Sequence, residues 1–271
     1  MKKKHLTILI IVTLTAGCAM LCYPAISDYI NSVRRTADIS AYSQTVSELD
    51  SETGREMLDS ANAYNAELAQ KPAHWKLNEE EIESYDSQLD IDGSGIMSYV
   101  EIPKLGCSLP VYHGTSVDVL QIAVGHLEGS SLPVGGTSTH SVLSAHRGLP
   151  SAKLFSNLDQ LEKGDRFTVC TLGQALCYEV DDISIVLPYD TQKLQIVQGE
   201  DLCTLMTCTP YGVNTHRLLV RGHRVDDSKS EVRVTADALQ IDPLIVAPVL
   251  AVPFLIAIIV AIIVYQRKRK V

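Results

Sequence analysis

Basic residues are scarce in the body of this chain. Its 271 residues hold 23 Lys and Arg against 32 Asp and Glu. Seven of the basic residues sit in the two tips, Lys2-Lys3-Lys4 and Arg267-Lys268-Arg269-Lys270, which leaves 16 for everything between. An acidic body of this kind argues against nucleic acid or anionic lipid as a partner. It would suit a basic partner such as a protein offering lysine, although acidity alone also serves solubility. Seven cysteines do not amount to a disulfide framework. Cys18 and Cys22 fall in an apolar segment, which leaves an odd five. Cys170 and Cys177 flank a hairpin tip and read either as a cross-strand disulfide or, preferably, as two small buried hydrophobes. Cys203 and Cys208 are five apart, so on a strand they face opposite ways and cannot pair. Cys208 therefore reads as a free thiol.

Other absences narrow the chemistry. Cys203, Cys208, His216 and His223 cluster without any short-loop zinc spacing. The glycine-rich stretch 129–136 lacks the Lys-Ser/Thr of a phosphate loop, so it is a loop. There is no Gly-x-Ser-x-Gly elbow and no internal repeat.

Long apolar runs are confined to the two ends. Leu6 to Ile26 follows the first basic cluster, and Pro243 to Tyr265 precedes the second. Each is about 20 residues, enough to cross a hydrocarbon layer of ~30 Å at ~1.5 Å per residue. Basic clusters outside both runs place both ends in the cytoplasm and the intervening chain outside. A cleaved signal peptide is the alternative for the first run, but its length and the lack of a small-x-small site favour an uncleaved anchor. Leu14-Thr15-Ala16-Gly17-Cys18 loosely resembles a lipoprotein processing box, yet Met20 to Tyr23 continues apolar. The expected layout is an anchor over 1–27, a helical region over 28–94, a barrel over 95–225, a linker over 226–242, a second membrane helix over 243–265 and a basic tail over 266–271.

Apolar positions from Asp28 to about Gln70 recur at helical spacing, with a break expected near Asp50-Ser51-Glu52-Thr53-Gly54. Pro72 interrupts the pattern, and Glu79 to Leu89 suggests a short amphipathic helix. From Gly95 the texture changes to short apolar runs: 96–102, 109–112, 141–144, 167–170, 176–180, 183–187, 202–208 and 217–220. Proline, glycine and aspartate punctuate them. Eight such runs without helical crossovers predict a mainly β fold, a closed or nearly closed antiparallel barrel.

Within those runs lies a kit for acyl transfer. Thr204-Leu205-Met206-Thr207-Cys208 ends a strand, and Pro210 and Gly212 then turn the chain, leaving the thiol at a rim. Arg217 returns on the next strand, sharing a face with Leu219, Arg221 and His223. A guanidinium there lowers a thiol's pKa and can hold a tetrahedral oxyanion. His146 lies 62 residues before Cys208, just past the strand-like Val142-Leu143-Ser144-Ala145. It is the preferred base, because His216 falls on the opposite face from Arg217. His113, His126 and His140 also lie in loop-like sequence.

These residues resemble a known family. Thr204-Leu-Met-Thr-Cys208 fits the Thr-Leu-x-Thr-Cys signature of sortases, the Gram-positive cysteine transpeptidases. Ser144-Ala145-His146-Arg147 and the stretch from Asn214 to Gly222 resemble the flanks of their histidine and arginine. Tyr99 to Gly114, Gly125 to Gly136 and Cys208 to Arg224 resemble class C, the pilus-assembling sortases, as does the second membrane segment. The resemblance implies the sortase barrel, with Cys208 as nucleophile, His146 as general acid/base and Arg217 as oxyanion or substrate anchor. Ser144 and Thr207 would line the substrate cleft, and no metal or organic cofactor would be needed. Such enzymes cut a Leu-Pro-x-Thr-Gly-like signal after threonine, hold a thioester, and pass it to a pilin lysine. Partners would be pilin or surface proteins bearing that signal, and the membrane. Class C members carry a lid with Asp-Pro-aromatic. Here Lys71-Pro72-Ala73-His74-Trp75 keeps proline and an aromatic but no aspartate. Trp75, the only tryptophan, would cover Cys208 or pack on the helices. A cell-wall peptide amine as acceptor, or a non-catalytic membrane-anchored scaffold, are the competing readings.

Overall fold

A computed structural model of the chain describes residues 3–71, 75–226, 256 and 258–260. Helix α1, Lys3–Glu48, runs unbroken through the first apolar segment and on into the acidic region. Its N-terminal part is long and apolar enough to cross a membrane. The second apolar segment, at 243–265, lies almost wholly outside the described residues. The chain divides into two units, one of residues 1–30 with 233–271 and one of 31–232. The second unit holds every strand and the two shorter helices that precede them.

Helix α2, Ser51–Leu68, starts because Asp50 accepts hydrogen bonds from the amides of Glu52 and Thr53. The expected break is therefore confined to Leu49 and Asp50, and Gly54 lies inside α2. Helix α3, Glu79–Asp86, opens on a capping box in which Asn78 and Glu81 each bond the other's backbone amide. The helices fix themselves to the barrel through buried polar side chains. Tyr42 of α1 donates to the carbonyl of Met97 and accepts from the amide of Leu172, both at 3.0 Å. Burial pushes its phenol up to about 12. Asn65 of α2 holds both the amide and the carbonyl of Leu132, at 2.7 and 3.1 Å.

Eight strands follow: β1 Ile96–Ile102, β2 Cys107–His113, β3 Val124–His126, β4 Thr139–Ser144, β5 Arg166–Thr171, β6 Gln174–Val186, β7 Asp201–Thr209 and β8 His216–Arg224. A short helix α4, Val117–Ile122, joins β2 to β3. The barrel closes in the order β1-β2-β3-β4-β7-β8-β6-β5. Three details depart from expectation, the first being β3, which none of the expected runs covers. The runs at 176–180 and 183–187 are one strand, β6, bent by a bulge between Val180 and Asp182. The barrel is also not wholly antiparallel, since β2 pairs with β3 and β4 with β7 in parallel.

The interior is filled by side chains such as Met97, Leu143, Phe155, Phe167, Tyr178 and Leu205. Each such burial contributes roughly 1.5–3 kcal/mol. Cys170 and Cys177 are buried, and neither takes part in a disulfide. Cys203 and Leu205 of β7 belong to the interior, whereas Met206 packs on a separate outer cluster with Val142, Leu194 and Leu219. At Gly222 of β8 an added Cβ would lie 2.9 Å from both the Phe167 ring and the Tyr178 Cβ. Gly222→Ala is therefore expected to destabilise the fold by about 1–3 kcal/mol, read as a lower urea midpoint. An unchanged midpoint would mean that the two rings can part freely.

Candidate active site

The parallel pairing of β4 with β7 organises the site. Its register sets Thr139 beside Asp201 and Ser144 beside Met206, a constant offset of 62 residues. His146 and Cys208 have the same offset. Each lies two residues beyond the Ser144–Met206 pair, so both come off the same end of the barrel side by side. Two further bonds carry the ladder past Ser144: Ala145 N donates to Met206 O at 3.1 Å, and Thr207 Oγ1 donates to Ala145 O at 2.7 Å. On the other side of β7 the pairing is antiparallel, and Cys208 is directly opposite Arg217. Cross-strand neighbours of this kind are ~4.5–5.5 Å apart at Cβ. Cys208 and Arg217 are thus paired across β7 and β8, and His146 lies just beyond the end of β4, where the same register would continue the row.

Within that row, strand alternation turns Cys208 outward with Met206 and Arg217 outward with Leu219. Cys208 is partly exposed. Arg217 uses one guanidinium nitrogen on the carbonyls of Asn214 and His216, at 3.5 and 3.2 Å. Among the described residues it has no carboxylate partner, so its other donors remain for a ligand. Burial, and after it the Arg217 charge, hold the imidazole of His146 below the usual range. Among the described residues no hydrogen bond ties down its ring.

Three other histidines are engaged elsewhere. His126 has Tyr85 Oη on one ring nitrogen and the carbonyl of Ser131 on the other. His140 has the carbonyl of Gln195 and Thr204 Oγ1, at 2.8 and 2.7 Å. Desolvation lowers both to about 4. His216 bonds Thr215 and lies on the face opposite Arg217.

Ser144 is partly exposed at the end of β4, where it pairs with Met206. Thr207 is not brought to the cleft. It is 1% exposed, and its hydroxyl is given to Ala145. The residue next to an outward cysteine must point inward, and there Thr207 fixes the strand end that carries His146. Thr204 does the same for His140. The two threonines of the signature thus act as struts.

Pro72 lies outside the described residues. Trp75 packs against the barrel. It lies half-buried on the outer cluster of Val142, Leu194 and Leu219, beside Met206. Two residues of strand, ~6.6 Å, separate Met206 from Cys208. Trp75 also borders a cavity of about 470 Å³ with His140, Leu194, Ile196 and Lys71. That cavity is floored by the loop between β6 and β7, which Lys193 pins to Asp182 at 2.7 Å. Among the described residues no three His, Cys, Asp or Glu side chains gather as a metal site would require.

Sequence reasoning passed over Arg147, next to His146. Its side chain is 9% exposed, and it ion-pairs with Asp159. Nothing periodic marks it, and its only signal was adjacency to His146.

Comparison with known proteins identifies the fold and the family. Residues 100–225 match the sortase domain. Sortase C1 of Streptococcus agalactiae is 52% identical, covering 70% of this chain and 99% of that one with a TM-score of 0.69. Sortase C of Streptococcus pneumoniae is 45% identical, covering 70% and 97% with a TM-score of 0.63. Sortase D of Bacillus subtilis is 33% identical over 135 residues, 49% of this chain and 64% of that protein. The chain thus spans somewhat less than two thirds of that relative. A closed barrel that covers solved sortase C chains almost end to end, at 45–52% identity, belongs to the sortase family of cysteine transpeptidases.

Proposed function

We propose that this protein is a pilin-polymerising transpeptidase, in which Cys208, His146 and Arg217 carry the reaction. The observation that supports the reading is the register of β4 on β7, whose 62-residue offset is also that from His146 to Cys208, together with the pairing of Cys208 and Arg217. Cys208 Sγ attacks the threonine carbonyl of a Leu-Pro-x-Thr-Gly-like signal, and its proton passes to His146. The guanidinium of Arg217 holds the tetrahedral oxyanion, where a planar fork is worth more than a point charge. The C–N bond to glycine then breaks, and His146 returns the proton to the leaving amine. A lysine amine of the next subunit attacks the thioester, the C–S bond breaks, and the thiol is restored. The S. pneumoniae sortase C has pilin substrates, and the acidic surface here suits a lysine donor. The first apolar helix would anchor the enzyme in the cell membrane, with both termini cytoplasmic and the barrel outside.

The test is intact-mass spectrometry of the full chain in detergent with a Leu-Pro-x-Thr-Gly peptide. A mass gain equal to the acyl fragment is expected, and a pilin lysine peptide should discharge it. Discharge only by a cell-wall peptide amine would favour the anchoring reading. No adduct from the folded wild-type chain would favour the scaffold.

Electrostatics give a second expectation. Because His146 is held below its ordinary ~6.5, it is neutral at pH 7 and can accept the thiol proton. The acid limb of the rate should therefore fall below pH 6.5. In Arg217→Gln the His146 titration, followed by NMR of the ring, should move upward, since one of the two causes of its depression is gone. A titration unmoved by that change would separate Arg217 from His146.

A further inference from the structure

A buried cation needs a reason. Arg147 follows His146 directly, and its side chain is 9% exposed. Burying a guanidinium costs free energy that an apolar side chain would not. Its Nε is buried with no hydrogen-bond partner, which adds to that cost. Mere loop stability would be served better by a leucine.

The contacts of Arg147 join three pieces of chain. Nη2 pairs with Asp159, in the turn Leu158–Gln160. Nη1 donates to Thr209 Oγ1 at 3.4 Å, on the residue after Cys208. The guanidinium carbon lies 5.7 Å from the centroid of the Tyr211 ring, in the turn between β7 and β8, within the range of a cation–π contact. Gly148, at φ +78, lets the chain pass beneath that ring, where a Cβ would come within 3.1 Å of it. The loop bearing the histidine is closed on itself by Phe155 N to His146 O at 3.3 Å and Gly148 N to Ser156 Oγ at 3.0 Å. The backbone ladder ends at Ala145 and Met206. Beyond the bond from Thr207 Oγ1 to Ala145 O, Arg147 ties the exit of β4 to the exit of β7.

We propose that Arg147 is a positioning residue that holds the imidazole of His146 in line with the thiol of Cys208 by stapling their two loops together. The inference rests on the acyl-transfer reading of those two residues. Asp159 anchors the staple, and Tyr211 and Thr209 are its far end.

Misalignment of the base should reduce turnover more than peptide binding. In full-length enzyme in detergent, Arg147→Met should lower kcat tenfold or more while the peptide KM stays within twofold. Arg147→Lys should recover only part of the loss, because an ammonium cannot reach Asp159 and Thr209 while lying flat on Tyr211. Tyr211→Ala should act in the same direction. The double variant should be hardly worse than either single one, because the two changes break one staple. Unchanged kcat in Arg147→Met, or full additivity with Tyr211→Ala, would overturn the proposal.

Alkylation of Cys208 by iodoacetamide across pH needs no substrate. If wild-type chain forms no acyl-enzyme, the catalytic reading fails on its own account, and alkylation still judges the staple. A displaced pH midpoint in Arg147→Met with an unchanged melting temperature supports it. A superimposable profile overturns it.

Discussion

Cys208→Ala should leave no acyl-enzyme and no transpeptidation product, a loss on the order of 10⁶-fold that places turnover below detection. The expectation rests on the contrast between Cys208 and the other thiols of the barrel. Burial pushes Cys107 up to about 12 and Cys170 up to about 11. Burial in the interior also raises Cys203 well above its ordinary value. A thiol held protonated is a poor nucleophile, and none of these three stands on the face of Arg217. Cys208 is turned outward at the barrel's end, partly exposed and opposite a guanidinium. The cost to folding should be small, about 1 kcal/mol or less for so peripheral a side chain. Persistence of full transpeptidation in a normally melting Cys208→Ala protein would require a different nucleophile.

His146→Gln should cost about 10²–10⁴-fold in kcat, the range of a lost general acid/base. Glutamine keeps most of the size and a hydrogen-bonding end but moves no proton. Other histidines cannot substitute. His126 and His140 are buried with both ring nitrogens engaged, and His113 spends its two on the carbonyls of Gly95 and Gln88. His146 alone among these combines an untethered ring with a place in the row. The measurement is single-turnover acylation by rapid quench and mass spectrometry. A loss smaller than about tenfold would reduce His146 to a bystander and leave proton transfer to water.

Much of this site could be read from the sequence. The thiol and the upstream histidine each follow or end a strand-like run, and the arginine opens the next one. Pro210 and Gly212 mark the turn, and strand parity separates Arg217 from His216. What sequence could not supply is the partner of β4. A six-residue strand carries no mark of whether its neighbour runs with it or against it, and only the parallel choice sets His146 beside Cys208. β3 escaped notice because Val124-Gly125-His126 is too short to show alternation. β6 looked like two strands because Asp181 and Asp182 break its apolar run, although Asp181 is committed to Arg221 by two bonds at 3.0 and 2.9 Å. Thr207 was misjudged for a related reason. A motif names residues together without saying which face each takes, and a strut looks like a ligand until its hydroxyl is followed to Ala145. Arg147 carried no sequence signal beyond its neighbour, since Asp159 and Tyr211 are joined to it only by folding.

The 62-residue offset has a corollary for how such a barrel can vary. Between β4 and β7 the chain makes two more strands and several surface loops, among them the excursion from Leu187 to Glu200. Residues added to or removed from that excursion would change the numerical distance from histidine to cysteine without moving either. Both are held by hydrogen bonds of neighbouring strands, not by the length of chain that separates them. A lineage could therefore remodel the loop that floors the cavity beside Trp75 while the register of β4 on β7 stayed unchanged. That surface and the strands that carry the site are free to evolve at different speeds in this molecule.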